Sequence, residues 1–204
     1  MPRVALISAT PAAIGPAVAG LAGQFPEAEP WNLLDDKLLA DAENGLTPAL
    51  ADRMRRLIAH ALAGHADGIL LTCSLYGVVA RETNAPVPVL APDEAVFEEA
   101  REYRRILVLA SFGSALRDCV SRFTTVSDSE VDGVVAADAF GATGSALSEA
   151  LVEAARPHVG HADAVLLGQY SLAPAAAELA DALGTTVLSG PNSAASKLRH
   201  LLLP

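Results

Sequence analysis

The segment Gly64-His65-Ala66-Asp67-Gly68-Ile69-Leu70-Leu71-Thr72-Cys73 returns as Gly160-His161-Ala162-Asp163-Ala164-Val165-Leu166-Leu167-Gly168-Gln169, an offset of 96 (64 to 160). An amphipathic helical stretch precedes each copy. A second helical stretch and a short β-rich run follow, Val87-Pro88-Val89-Leu90 in the first half and Thr185-Thr186-Val187-Leu188 in the second. The halves also open alike, Arg3-Val4-Ala5-Leu6-Ile7-Ser8 matching Arg105-Ile106-Leu107-Val108-Leu109-Ala110. A chain written twice in this way folds as two copies of one α/β unit.

The pattern sets the boundaries of the elements. Thr47-Pro48 reads as an N-cap followed by proline in the first turn. Met54, Leu57, Ile58, Ala61 and Leu62 then fall at helical spacing until Gly64. Ala146, Leu147, Ala150, Leu151 and Ala154 form the equivalent stripe, stopped by Pro157. The runs 4–7, 68–71, 106–109 and 164–167 are short, continuous and apolar, as strands buried on both faces of a parallel sheet require. The expected architecture is α/β, with two doubly wound lobes related by a pseudo-twofold axis and an active-site cleft between them. Residues 1–98 form the first lobe and 99–190 the second, with 191–204 a helix packing back on the first. Ligands of such sheets bind beyond the carboxyl ends of the strands. That selects Ser8-Ala9-Thr10, Thr72-Cys73-Ser74, Ala110-Ser111-Phe112 and Gly168-Gln169-Tyr170-Ser171.

Composition narrows the chemistry. The formal charge is −10 and the basic residues are scattered, which argues against nucleic acid as a partner. No apolar run reaches the roughly 18 residues of a membrane span, and Met1-Pro2-Arg3 leads into a strand rather than a signal peptide. The expected location is the cytoplasm, with no membrane partner. Two cysteines, Cys73 and Cys119, make neither a disulfide framework nor a zinc site. Gly-x-Gly-x-x-Gly, the P-loop and Gly-x-Ser-x-Gly are all missing. Gly141-Ala142-Thr143-Gly144 reads as a helix entry, and the only lysines, Lys37 and Lys197, lie in polar or helical contexts unsuited to a pyridoxal-phosphate Schiff base. His65/Asp67 and His161/Asp163 precede strands, at the end away from the expected site, so they read as strand-entry residues and no metal is expected. Asp35-Asp36 offers paired carboxylates, which a solvated loop or a helix N-cap explains equally.

Cys73 follows a buried-strand pattern and precedes a helical one. A thiol there faces a helix N-terminus, whose free N–H groups favour thiolate and lower the pKa from about 8.5. A thiolate removes or returns an activated proton, or adds to an electrophilic carbon. Cys119 sits in the helical pattern 115–120 and reads as packing.

The stretch Leu70-Leu71-Thr72-Cys73-Ser74, its repeat, Asn32-Leu33-Leu34-Asp35-Asp36 and Gly45-Leu46-Thr47-Pro48 together resemble the aspartate/glutamate racemase superfamily. That group includes hydantoin racemase, maleate isomerase and arylmalonate decarboxylase. The resemblance implies a cleft between similar lobes, no metal or organic cofactor, and carbanion chemistry beside a carboxylate. It also implies a small carboxylate as the substrate and a homodimer as the common assembly. Family racemases carry one cysteine in each half. Cys73 matches the first, and Gln169 stands where the second belongs. A glutamine amide hydrogen-bonds but does not exchange a proton near neutral pH. The decarboxylase works with one cysteine in its second half, so this chain has the mirror arrangement. Cys73 is the expected acid/base or nucleophile, with Thr10, Thr72, Ser74, Ser111, Gln169 and Ser171 holding the carboxylate and Tyr170 shaping the pocket or satisfying a packing site. Phe112 stands where a hydroxyl-bearing residue is expected. Racemase or isomerase activity, one-sided decarboxylation, lysis or cis/trans isomerisation, and simple binding of a small acid all remain open on the sequence.

Overall fold

The computed structural model describes residues 1–43 and 45–203. Strand and helix alternate: β1 (Arg3–Ser8), α1 (Ile14–Gln24), β2 (Glu29–Leu34), α2 (Pro48–Ala63), β3 (Gly68–Leu71), α3 (Gly77–Glu82), β4 (Val89–Leu90) and α4 (Glu94–Ala100) come first. The pattern then repeats as β5 (Arg105–Ala110), α5 (Gly113–Thr124), β6 (Glu130–Val135), α6 (Gly144–Ala155), β7 (Ala164–Leu167), α7 (Ala176–Leu183), β8 (Thr186–Ser189) and α8 (Gly190–Leu202). Two four-stranded sheets result, ordered β2-β1-β3-β4 and β6-β5-β7-β8, with every pair parallel. The chain divides into one unit of residues 1–94 and 191–204 and another of residues 95–190. Among the described residues no helix is long and apolar enough to cross a membrane.

The four apolar runs are the central strands, and the two units set them in the same register. Val4 pairs with Gly68 and Ile7 with Leu71 in the first, Ile106 with Ala164 and Leu109 with Leu167 in the second. In the first unit Ala5, Ile7, Ile69 and Leu71 meet Met54, Ile58 and Ala61 of α2 and Val79 of α3. In the second, Leu107, Leu109, Val165 and Leu167 meet Leu147, Leu151, Ala155 and Leu179. The opposite face packs Ile106, Val108, Ala164 and Leu166 on Cys119, Phe123, Val96 and Phe97. Side chains of α4 thus belong to the second unit's core.

Each central pair is clipped at its starting end by the aspartate of the repeated segment. Asp67 N–H donates to the Arg3 carbonyl at 2.8 Å, and Arg3 N–H donates to Asp67 Oδ2 at 2.7 Å. The copy does the same: Asp163 N–H to the Arg105 carbonyl at 2.8 Å, and Arg105 N–H to Asp163 Oδ2 at 3.0 Å. Arg105 Nη2 also reaches Asp163 Oδ1 at 2.7 Å. That ion pair, with hydrogen bonding its main cause, lowers the Asp163 pKa. The strand-entry role of Asp67 and Asp163 is therefore a two-way hydrogen bond. His65 supplies the bend before it, with φ of 59°.

Thr47 caps α2, its hydroxyl accepting from Leu50 N–H at 3.3 Å, with Pro48 opening the helix. Gly64 ends it under a ring. A Cβ there would lie 2.3 Å from Trp31 Cη2, and Trp31 in turn packs against His60 at 5.6 Å. The α6 stripe differs from the one expected. Leu147, Ser148, Leu151 and Ala155 are its buried residues, whereas Ala146 is exposed and Ala150 and Ala154 are half-buried. Ser148 turns its hydroxyl to Glu178 of α7, a polar residue holding a position that apolar periodicity overlooks.

The helix α8 lies across the first unit. Leu202 and Leu198 would stand 3.1 and 3.2 Å from a Cβ at Gly68, which explains glycine there and alanine at the equivalent Ala164. Arg199 forks onto Glu27 with contacts of 2.8 and 3.2 Å. A Cβ at Gly20 of α1 would meet the Pro191 carbonyl oxygen at 2.7 Å. Backbone cannot swing aside as a side-chain tip can. Gly20→Ala is therefore expected to lower stability by about 1–3 kcal/mol through overpacking. Gly23→Ala, on the same helix with open space around it, is expected to gain about 0.5–1 kcal/mol from helix propensity. Urea unfolding of both variants checks the contrast. Equal effects would mean that α8 does not press on α1.

Candidate functional site

At the carboxyl end of the first sheet, β1 and β3 deliver Ser8 and Thr72 side by side. Thr72 Oγ1 donates to Ser8 Oγ at 2.9 Å, and its N–H to the Ile7 carbonyl at 3.1 Å. Both residues are buried. Above this hydroxyl pair the chain turns at Cys73, whose backbone is extended (φ −123°, ψ 120°). A 3₁₀ turn, Ser74–Tyr76, runs directly into α3. The helical stretch expected after Cys73 is thus a tight turn followed by a six-residue helix. Cys73 is half-buried against the cluster that contains Ala9, Leu71 and Tyr76. Ser74 is half-buried at the start of the turn. Thr10 is also half-buried, and its carbonyl accepts from Ala13 N–H at 3.3 Å.

Beneath the Cys73 turn lies an ordered polar floor. Tyr76 is fully buried, and its hydroxyl donates to the Leu38 carbonyl at 2.7 Å. Leu38 belongs to the loop that leaves β2, and Asp35 of that loop accepts a two-pronged contact from Arg53 of α2. Arg53 also reaches Asp41 at 2.7 Å, and both carboxylates raise its pKa through hydrogen bonds. Asp35 is thus the anchor of a loop clamp. Burial pushes the Tyr76 phenol up to about 12, and the negative charge of a Cys73 thiolate adds to the shift.

The second unit repeats the frame with other side chains. Gln169 occupies the place of Cys73, extended (φ −144°, ψ 143°) before the 3₁₀ turn Tyr170–Ala175. Its Oε1 accepts two hydrogen bonds, from Ser111 N–H at 2.7 Å and Ser111 Oγ at 3.0 Å. A backbone N–H only donates, so the amide orientation is fixed and the NH₂ group is turned away from Ser111. Ser111 is buried and Gln169 half-buried. Tyr170 is buried, and Ser171 is exposed. The hydroxyl pair has no counterpart. Gly168 takes the place of Thr72, and a Cβ there would lie 3.3 Å from both Cys119 Sγ and the Leu109 carbonyl. Cys119, buried, occupies the space a larger side chain would need. Phe112, following Ser111, is 40% exposed and meets Phe140, 71% exposed, edge to face with ring centres 5.9 Å apart at 83°.

The sequence reading thus placed Thr72 and Cys73 at one sheet end and Ser111, Gln169 and Tyr170 at the other. It passed over Ser8 as a partner, and also Tyr76, Arg53 and Phe140. Tyr76 stands three residues past Cys73, a spacing that signals a side chain under the same turn. Arg53 and Phe140 carry no such signal, because their partners come from other loops. Among the described residues no three His, Cys, Asp or Glu side chains are placed to hold a metal ion.

The raised phenol has a measurable consequence. The fold favours neutral Tyr76, so its contribution is full below pH 10 and is lost as pH climbs to about 12. In an alkaline ultraviolet titration, wild type is expected to show tyrosine ionisation near pH 12 that Tyr76→Phe reduces. An identical high-pH phase in wild type and Tyr76→Phe would contradict the buried phenol.

No family model matches the chain, and no curated protein matches it by sequence. Solved structures do match it. Picrophilus torridus aspartate racemase superposes with a TM-score of 0.76 at 12% identity, covering 99% of this chain and 94% of its own. Allantoin racemase from Klebsiella pneumoniae gives 0.70 at 15% identity, with 99% and 88% covered. Unliganded arylmalonate decarboxylase gives 0.64 at 20% identity, with 100% and 94% covered. With its two four-stranded parallel sheets flanked by helices, this chain therefore has the α/β fold of these two-lobed racemases, and it superposes on the decarboxylase as well.

Proposed function

We propose that this chain is a cofactor-independent enzyme acting on the carbon beside the carboxylate of a small acid, with Cys73 as its acid/base or nucleophile. One observation carries the reading. At equivalent positions of two copies of one fold stand a half-buried thiol and an amide whose oxygen is already held by Ser111. The fold's likeness to racemases and a decarboxylase supports the choice of chemistry.

The steps follow from the groups. A Cys73 thiolate takes the proton from the α-carbon, and the electron pair passes into the carboxylate as an enediolate. The Gln169 NH₂ donates to a carboxylate oxygen and holds it more tightly as charge grows, the kind of donor that often supplies the largest share of catalysis. Ser111 acts through Gln169 by fixing its rotamer. Ser74, Thr10 and Ser171 are proposed to complete the donor set, and Tyr170 to wall it. The thiol then returns a proton to carbon. Decarboxylation fits the same groups and is favoured by the single cysteine. From a substrate with two carboxylates on one carbon, one leaves as carbon dioxide, the electron pair of the broken carbon–carbon bond enters the remaining carboxylate as an enediolate, and the Cys73 thiol protonates the carbon.

Two-base racemisation needs an acid/base from each copy, because proton removal and delivery occur on opposite faces of the carbon. Gln169 supplies none. Wild-type enzyme is therefore expected to exchange or install a proton with one stereochemical outcome. Gln169→Cys is expected to convert part of that activity into racemisation. Proton NMR in D₂O with a panel of substituted mono- and dicarboxylates reads exchange, inversion and loss of CO₂ together. Rapid racemisation by wild type from either enantiomer would refute the one-sided mechanism.

Cys73→Ala is expected to lower turnover by about 10³-fold, within the usual range for a positioned acid/base, with an unchanged melting curve. Cys119→Ala, a packing change, is expected to lower stability and leave turnover near wild type. Equal turnover in Cys73→Ala and wild type would exclude catalysis by this thiol and leave a small-acid binding protein.

A further inference from the structure

The Cys73 thiol stands on a turn, and one side chain ties that turn to a second loop of the same unit. Tyr76 N–H donates to the Cys73 carbonyl at 3.1 Å, so Tyr76 closes the turn that Cys73 opens. Its hydroxyl donates to the Leu38 carbonyl at 2.7 Å, and both Tyr76 and Leu38 are fully buried. Cys73 packs against the cluster that holds these two residues together.

The loop that supplies Leu38 is held on either side of it. Asp35 N–H donates to the Ser8 carbonyl at 3.1 Å, and Arg53 of α2 forks onto the Asp35 carboxylate. The same guanidinium reaches Asp41 at 2.7 Å. Leu38 thus lies between two clamped aspartates. A guanidinium shared by two carboxylates is already neutralised, and a two-pronged contact fixes geometry as well as charge. What Arg53 supplies to the site is therefore the position of the loop.

Apolar packing alone would let the turn slide on that loop, since burial has no direction. A hydrogen bond has a preferred length and angle. The Tyr76 hydroxyl therefore adds direction to a contact that the ring already makes. Phenol and thiol are also electrostatic neighbours. A negative charge on Cys73 opposes ionisation of Tyr76, as do those of Asp35 and Asp41, whereas Arg53 favours it.

We propose that Tyr76 is a positioning residue for Cys73, fixing the turn that carries the thiol against the Asp35–Asp41 loop that Arg53 clamps. The proposal rests on the catalytic reading of Cys73 given above and adds the residue through which the thiol is held in place. Fully buried, Tyr76 touches no substrate and acts through the turn.

The test is alkylation by iodoacetamide at fixed pH, followed at Cys73 by peptide mass spectrometry so that Cys119 is counted apart. It compares wild type, Tyr76→Phe, Arg53→Met, the double variant and Thr47→Ala. Thr47→Ala removes the cap of α2 in the same unit, a loss of stability comparable with that of one hydrogen bond, and leaves the Tyr76 contact intact. Tyr76→Phe is expected to raise the Cys73 rate about 3- to 10-fold, the ratio that one lost hydrogen bond converts to, with Thr47→Ala near wild type. Arg53→Met is expected to raise it less. The double variant is expected to exceed Tyr76→Phe by nothing, because both changes act through one loop. On the acid that exchange in D₂O identifies, Tyr76→Phe is expected to lower kcat with KM unchanged, since a displaced thiol loses reach while the carboxylate stays held. An unchanged Cys73 rate in Tyr76→Phe, or equal rises in Tyr76→Phe and Thr47→Ala, would overturn the proposal and reduce the hydroxyl to general stability. A double variant showing the product of the two single effects, or faster alkylation with kcat unchanged, would overturn it as well. Alkylation needs no substrate, so it judges the Tyr76 contact separately from the catalytic reading, which turnover of Cys73→Ala decides.

Discussion

Register in the central strand pairs decides which side chains emerge at the carboxyl ends, and in each unit an aspartate holds it from the opposite end. Asp67 grips the start of β1 through both its N–H and its carboxylate, and Asp163 grips β5 in the same way. With that end fixed, Ile7 lies beside Leu71 and Leu109 beside Leu167. Ser8 must then meet Thr72, and Ser111 comes within reach of Gln169. A slip of one residue would set each side chain of β3 or β7 against the helix layer meant for its neighbour and retract Cys73 or Gln169 from the sheet end. The repeated Gly-His-Ala-Asp thus sits at the opposite end of each sheet from Cys73 and Gln169 and still governs where those side chains are displayed.

What the two copies share is the lower sheet, and what they do not share is its upper rim. The core strands match in length, register and burial. At the rim the first unit has a buried hydroxyl pair under a thiol, and the second a serine-held amide with Cys119 closing the space beside Gly168. The differences come in packed sets. Threonine at 168 would need Cys119 to withdraw, and a cysteine at 169 would release Ser111 from its acceptor. Divergence at the rim therefore has a threshold, since no one residue changes without its neighbours.

The sequence was most legible where burial is complete. The runs 4–7, 68–71, 106–109 and 164–167 are apolar without interruption because both faces are covered. The edge strands β2 and β6 escaped notice. Glu29-Pro30-Trp31-Asn32 and Glu130-Val131-Asp132-Gly133 are half in water, the proline is tolerated because β2 is an edge strand, and a Cβ at Gly133 would meet Leu116 at 3.2 Å. The equivalence of Cys73 and Gln169 followed from the repeat alone. What surrounds each could not, since the Arg53 clamp joins α2 to the loop after β2, and the Leu38 carbonyl over Tyr76 and the ring of Phe140 come from loops with no repeated pattern. Periodicity reports what faces the core and is silent on what crosses between loops.

The place of α8 bears on how such a chain comes to be folded. The second unit is a single stretch, 95–190, whereas the first is made of 1–94 and 191–204. In topological terms the second unit is an insertion in the first, and Gly20 and Gly68 are the sockets that receive the returning segment. During synthesis the earlier half must therefore wait, its α1 surface uncovered, while the whole of the later half is made. The inserted unit has all its own residues in hand sooner. An N-terminal portion that finishes after the portion behind it reverses the usual order of assembly on the ribosome. It also makes the exposed face of α1 the surface most open to mispairing in a nascent or truncated chain.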